Sequence, residues 1–426
     1  MAAPARLFPY PYRSETLPNG LKVILIPMPS QGLVAYYSIV RTGSRDEVEP
    51  GKSGFAHFFE HMMFRGTKTY PAEEYDRILT EMGASHNAFT SSDVTVYYNH
   101  VTRDDLERIV ELEADRFQNL EYAEPAFRTE AGAVYGEYRK NITSPYAMLD
   151  EKLNDLAFDV HTYKHTTIGF ERDIKAMPEA FGYSRSFFER FYRPDNTVIL
   201  VVGDFDPDAT LASIRGHYGS WKRGYVAPKV VPEPPQTEER SGEVVYPGKT
   251  LPILDMAYKG DAFDASNRKF VAALLLVELA FGETSDLFKD LYVKRQKVER
   301  LMASAPMHRD APLFEVVAVI KKPEDVPEVR AAIEAAIARY QKKPPDAKRL
   351  ADLKRRWRYT FLMRLDSPQR VAGALIEAIS LTGGIEATDA LLRAVDQVTA
   401  RDVMEAARTY YQKERRTVVT VKGQAS

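Results

Sequence analysis

Two stretches of this chain end alike, and that likeness constrains its fold more than any other feature. Phe191 to Gly203 reads F-Y-R-P-D-N-T-V-I-L-V-V-G, and Tyr410 to Gly423 reads Y-Y-Q-K-E-R-R-T-V-V-T-V-K-G, a match with one residue inserted. Each follows helix-like text, so the chain reads as two structural repeats of about two hundred residues. Between them, Ala227 to Gly242 is A-P-K-V-V-P-E-P-P-Q-T-E-E-R-S-G, proline-rich and charged without apolar periodicity, the composition of an extended linker. The expected organisation is a first domain over 1–226, a linker over 227–242 and a homologous second domain over 243–426. At 426 residues the chain also exceeds what one core usually organises.

Both repeats mix strand and helix patterns. Leu21 to Pro27 and Val34 to Val40 are rich in β-branched and aromatic residues and bounded by turn signals such as Asn19-Gly20, which predicts strands. Asp104 to Leu120 places Leu106, Ile109, Val110, Leu112 and Phe117 at helical spacing. Ala331 to Tyr340, Leu350 to Leu365 and Val371 to Leu381 read as helices, the last stopped by Gly383-Gly384. The fold class is α+β: two repeated α/β sandwich domains, each a mostly antiparallel sheet covered by helices and joined by a linker.

Composition removes several functions. A net charge of −2 disfavours nucleic acid, whose binders carry a basic excess. The chain has no cysteine, which excludes disulfides, thiolate ligands and cysteine nucleophiles, so any metal must sit on His and carboxylate. The apolar run Phe270 to Phe281 is short and interrupted by Glu278, and no membrane span is expected. The start, Met-Ala-Ala-Pro-Ala before Arg6, has neither the basic nor the apolar part of a leader. A periplasmic protein trimmed of its signal is favoured over a cytoplasmic one.

The chemistry lies in Ser53 to Gly66, S-G-F-A-H-F-F-E-H-M-M-F-R-G, which reads as a helix with Ser53 as N-cap and Gly66 as stop. His57 and His61 are four apart, one turn from each other on one face, where both imidazoles can chelate one ion. Glu60 lies beside that face, placed to accept a proton rather than to ligate. H-x-x-E-H inverts the commoner zinc-peptidase order H-E-x-x-H. Three ionisable groups among so many apolar neighbours would be costly unless paired or metal-bound. A hydrolytic zinc needs a third protein ligand and an open position. Glu130 and Glu137, seven apart on one helical face in Thr129 to Asn141, are the candidates, and spacing does not choose between them.

H-F-F-E-H, followed by this glutamate pair, resembles the pitrilysin/insulinase family of inverted zinc peptidases, which includes the mitochondrial processing peptidases. The resemblance implies one zinc ion per chain on His57, His61 and Glu137, with Glu130 supporting the site and Glu60 activating zinc-bound water. Gly83 to Tyr98, G-A-S-H-N-A-F-T-S-S-D-V-T-V-Y-Y, is similar to the family's edge strand. By that resemblance Asn87, Ala88, Phe89 and Thr90 meet an extended peptide substrate, which adds as a strand and is read with little side-chain preference. The likeness extends through His161 to Gly169 and both domain ends. The isolated histidines His86, His100, His161 and His165 receive no ligand role.

Seven of the eight histidines precede the linker and only His308 follows it, so the second repeat cannot build a two-histidine site. Active family members resemble S-R-L-F-x-x-x-R-E-K-R-G-L-A-Y in the second half, whose Arg-Tyr pair seven residues apart reaches the substrate. This chain reads S-D-L-F-K-D-L-Y-V-K-R-Q-K-V-E from Ser285 to Glu299, with Tyr292 and Glu299 in those places. One donor to a developing oxyanion contributes on the order of 3 kcal/mol. The expectation is therefore a heterodimer with a homologous zinc-less subunit that supplies the Arg/Tyr pair. The alternatives are a self-sufficient homodimeric peptidase using Arg295 or Arg300, and a non-catalytic scaffold subunit of the same family.

Overall fold

The computed structural model of the chain describes residues 7–424; Met1 to Arg6, on which the expectation of a trimmed leader rests, lies outside the described residues. The first-half strands are β1 (Arg13–Thr16), β2 (Lys22–Pro27), β3 (Leu33–Val40), β4 (Ser85–Thr90), β5 (Thr95–Thr102) and β6 (Thr197–Gly203), of which β2, β3, β5 and β6 are rich in β-branched and aromatic residues while β1 and β4 are largely polar. They make one six-stranded sheet in the order β1-β2-β6-β3-β5-β4. Later in the chain, β7 (Arg240–Tyr246), β8 (Ile253–Lys259), β9 (Val298–Ser304), β10 (Leu313–Ile320) and β11 (Arg416–Gly423) form a second sheet in the order β7-β11-β8-β10-β9.

The repeat is explicit in the pairing. β2 with β6 and β7 with β11 are parallel, while the other neighbours in both sheets are antiparallel. The similar chain endings are β6 and β11, occupying the same place in each sheet. This is the α+β class the sequence predicts. The helices used below are α1 (Phe55–Met62), α2 (Leu106–Asn119), α3 (Glu124–Asn141), α4 (Pro145–Ala157), α5 (Arg268–Ala280) and α6 (Pro368–Thr382).

Two compact units result, and they are not the contiguous spans 1–226 and 243–426. The first holds the chain up to Arg139, His165–Val230 and Phe361–Ile385; the second holds Lys140–Lys164, Val231–Thr360 and the chain from Glu386. The physical reason is an exchange of helices. α4 comes from the first half, yet its Leu149, Leu153 and Ala157 pack with Val244, Ile253, Val419 and Val421 on the second sheet. α6 comes from the second half, yet its Val371, Leu375 and Ile379 pack with Ile39, Leu200 and Val202 on the first. The expected linker also ends early, since β7 starts at Arg240, and it is tied down. Glu233 accepts backbone N–H bonds from Asp159, Val160 and His161 at 2.8, 3.1 and 3.1 Å. Among the described residues no single helix is long and apolar enough to cross a membrane.

Candidate metal centre

α1 has eight residues, and Phe55, Ala56, Phe58, Phe59 and Met62 are buried. The Phe58 ring lies 5.0 Å from Phe127 and the Phe59 ring 5.3 Å from Phe187, while the Tyr97 hydroxyl on β5 donates to the Phe59 carbonyl at 2.9 Å. This apolar anchoring leaves His57, Glu60 and His61 on the face that stays partly open. The expected helix over Ser53 to Gly66 is α1 followed by a 3₁₀ turn, Met63–Arg65. Ser53 is not its N-cap. Gly54 takes that position with φ +91°, where a Cβ would stand 2.5 Å from the Ile168 carbonyl, and Ser53 instead donates its hydroxyl to Asp173 at 2.7 Å.

His57 and His61 hold their rings 4.9 Å apart. Glu137, on α3, brings Oε2 to 3.6 Å from His57 Nε2 and 3.5 Å from His61 Nε2. Two donors each about 2.0–2.1 Å from one tetrahedral zinc stand roughly 3.3–3.4 Å apart, so this triangle of two imidazoles and a carboxylate fits that ion. It is the one group of three His, Asp or Glu side chains among the described residues close enough to share a metal.

Glu130, seven residues earlier on α3, turns to the other side of His61. Its Oε1 lies 2.8 Å from His61 Nδ1, and its Oε2 accepts from Arg65 Nε at 2.7 Å and from a second guanidinium nitrogen. With Nδ1–H donated to Glu130, the lone pair of His61 is on Nε2, the atom that faces the triangle. Burial works to raise the Glu130 carboxyl, but the His61 and Arg65 bonds outweigh it and hold the group below its ordinary range. The Glu130 bond holds His61 above its own, whereas burial chiefly holds His57 below. Among the described residues His57 Nδ1 is buried with no hydrogen-bond partner, and the atom it turns to the triangle is Nε2, whose lone pair can go to a metal.

The open side of the centre meets the end of the first sheet. β4 pairs only with β5. Thr90 at its end donates its hydroxyl to Glu60 Oε2 at 2.7 Å, while the other Glu60 oxygen has no hydrogen bond among the described residues. The Ala88 N–H bonds the Asn87 side chain at 2.9 Å rather than the β5 ladder, so it points to the unpaired edge. Asn87 and Phe89 are exposed and Ala88 is buried. The sequence reading thus finds its residues at one place. It missed Arg65, whose only signal was a cation four residues past the motif, one helical turn on, and the Thr90 bond to Glu60.

Comparison with known proteins decides the family. Residues 22–170 match the model described as Insulinase (Peptidase family M16), and 184–356 match the Peptidase M16 inactive domain. The zinc protease PqqE of Helicobacter pylori is 28% identical over 418 residues, covering 96% of this chain and 93% of that protein. A crystal structure of a protease from Helicobacter pylori superposes with a TM-score of 0.90 at 27% identity, covering 97% of this chain and 99% of that one. An uncharacterized zinc protease of Mycobacterium leprae is 33% identical over 48% of this chain, and the match spans 45% of that protein. The chain belongs to peptidase family M16.

Within this M16 chain the second unit carries no counterpart of the triangle among the described residues. α5, which follows β8 as α1 follows β3, is buried and apolar almost throughout. Tyr292 lies exposed in a π-helical turn, Lys289–Lys294, stacked on Phe288 at 4.8 Å. Glu299 is exposed on the edge strand β9, 3.9 Å from Lys321. Arg295 is held by Asp290 and Glu328, whereas Arg300 on β9 has no ion pair among the described residues. The remaining histidines stay outside the centre. His86 rests near the Phe64 ring, His100 bonds Tyr37 at 3.1 Å, His161 bonds Asp310 at 3.0 Å and His165 bonds the Thr166 carbonyl at 2.9 Å.

Proposed function

We propose that this chain is the zinc-bearing subunit of an M16 metallopeptidase of the H-x-x-E-H type, cutting peptides or unfolded polypeptides. The observation that carries the reading is the triangle of His57, His61 and Glu137 with Glu60 beside it, at the end of a sheet whose last strand has a free edge. Zinc held by those three side chains, one ion per chain, supplies Lewis acidity to a carbonyl and lowers the pKa of water. Glu60, oriented through Oε2 by Thr90, takes a proton from the attacking water on its free oxygen and returns it to the leaving amine. Glu130 keeps His61 in the tautomer that presents Nε2. A substrate strand adds to β4 through outward main-chain groups such as the Ala88 N–H, which reads backbone and tolerates many side chains.

The heterodimer follows from chemistry the chain lacks. Tyr292 puts a neutral hydroxyl where the family pattern has a cation, and a carboxylate at Glu299 accepts rather than donates, so the charge and one donor of the oxyanion-stabilising pair are missing. A homologous partner supplying Arg and Tyr completes the site. The homodimeric reading narrows to Arg300, because Arg295 is already neutralised. The test is hydrolysis of an internally quenched peptide by the zinc-loaded chain, alone and with its homologous partner, with Glu60→Gln as control. Activity that appears in the mixture and vanishes with Glu60→Gln supports the split site. Full activity of the chain alone, lost in Arg300→Ala, supports the homodimer. Zinc binding with no turnover in either arrangement leaves the scaffold.

A further inference from the structure

We propose that Glu47, which bonds the backbone N–H of the residue before His57, is a positioning residue for the metal centre: its carboxyl group sets the first turn of α1 and thereby the direction of His57 and His61. The proposal rests on the reading of the triangle as a zinc site.

Glu47 Oε2 accepts the Gly54 N–H at 2.7 Å and Oε1 accepts the Ala56 N–H at 2.6 Å. Those are the N-cap and second residues of α1, and His57 is the next. The first N–H groups of any helix lack partners inside it, and α1 has no side-chain cap of its own. A buried carboxylate from outside the helix takes that place, favoured by the positive end of the helix dipole. A second buried carboxylate, Asp173, holds the preceding residue through Ser53 N and Oγ at 3.3 and 2.7 Å, and Ser53 Oγ accepts the Phe170 N–H at 2.9 Å. The entry to α1 is thus pinned at Ser53, Gly54 and Ala56.

Directional bonds matter at the start of the helix because its other hydrogen bonds, such as the one from Tyr97 to the Phe59 carbonyl, lie beyond the first turn. Phe55, Phe58 and Phe59 hold α1 against its neighbours by apolar contact, which tolerates a small rotation or slide of the helix. The metal does not: ligand distances are set to within about 0.2 Å. A carboxylate is also an expensive way to fill a buried space. Burial pushes Glu47 up to about 8, with Asp46 and Asp173 adding to the rise and the two N–H bonds opposing it. His165 Nε2 stands 3.8 Å from Oε2. An apolar side chain would fill the volume at less cost but would release both N–H groups.

The experiment compares the zinc Kd of the full-length wild type, Glu47→Gln and Glu113→Gln by chelator competition, together with the visible spectrum of the cobalt-substituted proteins. Glu113 is the control, a buried carboxylate of the same unit that hydrogen-bonds Ser38, Tyr75 and Arg116 and, among the described residues, has no hydrogen bond to α1. Glu47→Gln replaces one acceptor by an amide N–H that opposes a backbone N–H. The expected result is a zinc Kd raised ten- to a hundredfold and shifted cobalt bands in Glu47→Gln. Glu113→Gln should lower Tm and move neither. Where Glu47→Gln does not fold, Glu47→Asp keeps a carboxyl group but is one methylene too short to span both N–H groups, and the same rise is expected. An unchanged Kd and spectrum in the Glu47 variant, or an equal change in Glu113→Gln, overturns the proposal. A wild type without zinc affinity overturns the metal-centre reading itself.

Discussion

Glu130 and Glu137 show what one residue's position does that its spacing cannot announce. Seven positions return to the same helical face but advance about 10 Å along the axis, so docking against α1 decides which carboxylate meets the ring nitrogens that face the metal and which meets the other side of His61. For that reason His57, His61 and Glu60 were legible in the sequence, being local to one helix, while the roles of the two glutamates came only through resemblance. Glu130→Ala frees His61 Nδ1 and Arg65, and zinc Kd should rise about ten- to a hundredfold in chelator competition. Glu60→Gln keeps the shape and the Thr90 contact but cannot take a proton. Metal analysis should find zinc retained, and kcat should fall by roughly a thousandfold. Thr90→Val removes only the orienting bond, so kcat should fall about tenfold with zinc content unchanged.

At the scale of elements, the strands and helices named from periodicity were legible because that periodicity is a local property. The expected strands Leu21 to Pro27 and Val34 to Val40 are β2 and β3, and the helix expected over Asp104 to Leu120 is α2, each within a residue or two. The exchange of α4 and α6 was not legible: an apolar stripe such as Leu149, Leu153 and Ala157 shows that a helix covers a sheet and says nothing of which sheet. The edge of β4 was legible only through the family pattern, since an edge strand and an inner one share the same alternation. Its use can be tested at Ala88. Ala88→Pro removes an N–H that points away from β5 and spares the ladder, so the substrate edge loses a donor while the sheet keeps its bonds. The expected outcome is a KM raised about tenfold for a peptide substrate, with zinc content unchanged and Tm lowered little.

At the scale of the whole molecule, the repeat gives two sheets of one pattern, and their buried layers carry different chemistry. In the second unit Asp255 on β8 and Glu315 on β10 lie diagonally across the β8/β10 pairing, on the face that α4 covers. Burial raises Asp255 well above its ordinary range, Glu315 to about 7 and Asp150 of α4 to about 6, with Glu151 adding to Asp150 and His308 pulling Glu315 the other way. Below about pH 3 these acids are protonated folded and unfolded alike and make no difference to stability. As pH climbs from there toward 7, the unfolded chain releases its protons freely while the fold must keep them or bury charge, so stability falls across that window and then levels. Carboxyls held low, such as Glu233 and Glu239, act oppositely and lose their contribution only as pH drops below about 4.5, which separates the two effects. Glu315→Gln stays neutral at every pH and keeps the packing. In calorimetry it should match the wild type near pH 4.5 and exceed it by several degrees in Tm at pH 8, a difference on the order of 3 kcal/mol. Parallel Tm curves for the two proteins across that range would mean that the α4 layer holds these carboxyls with no preference for their protons.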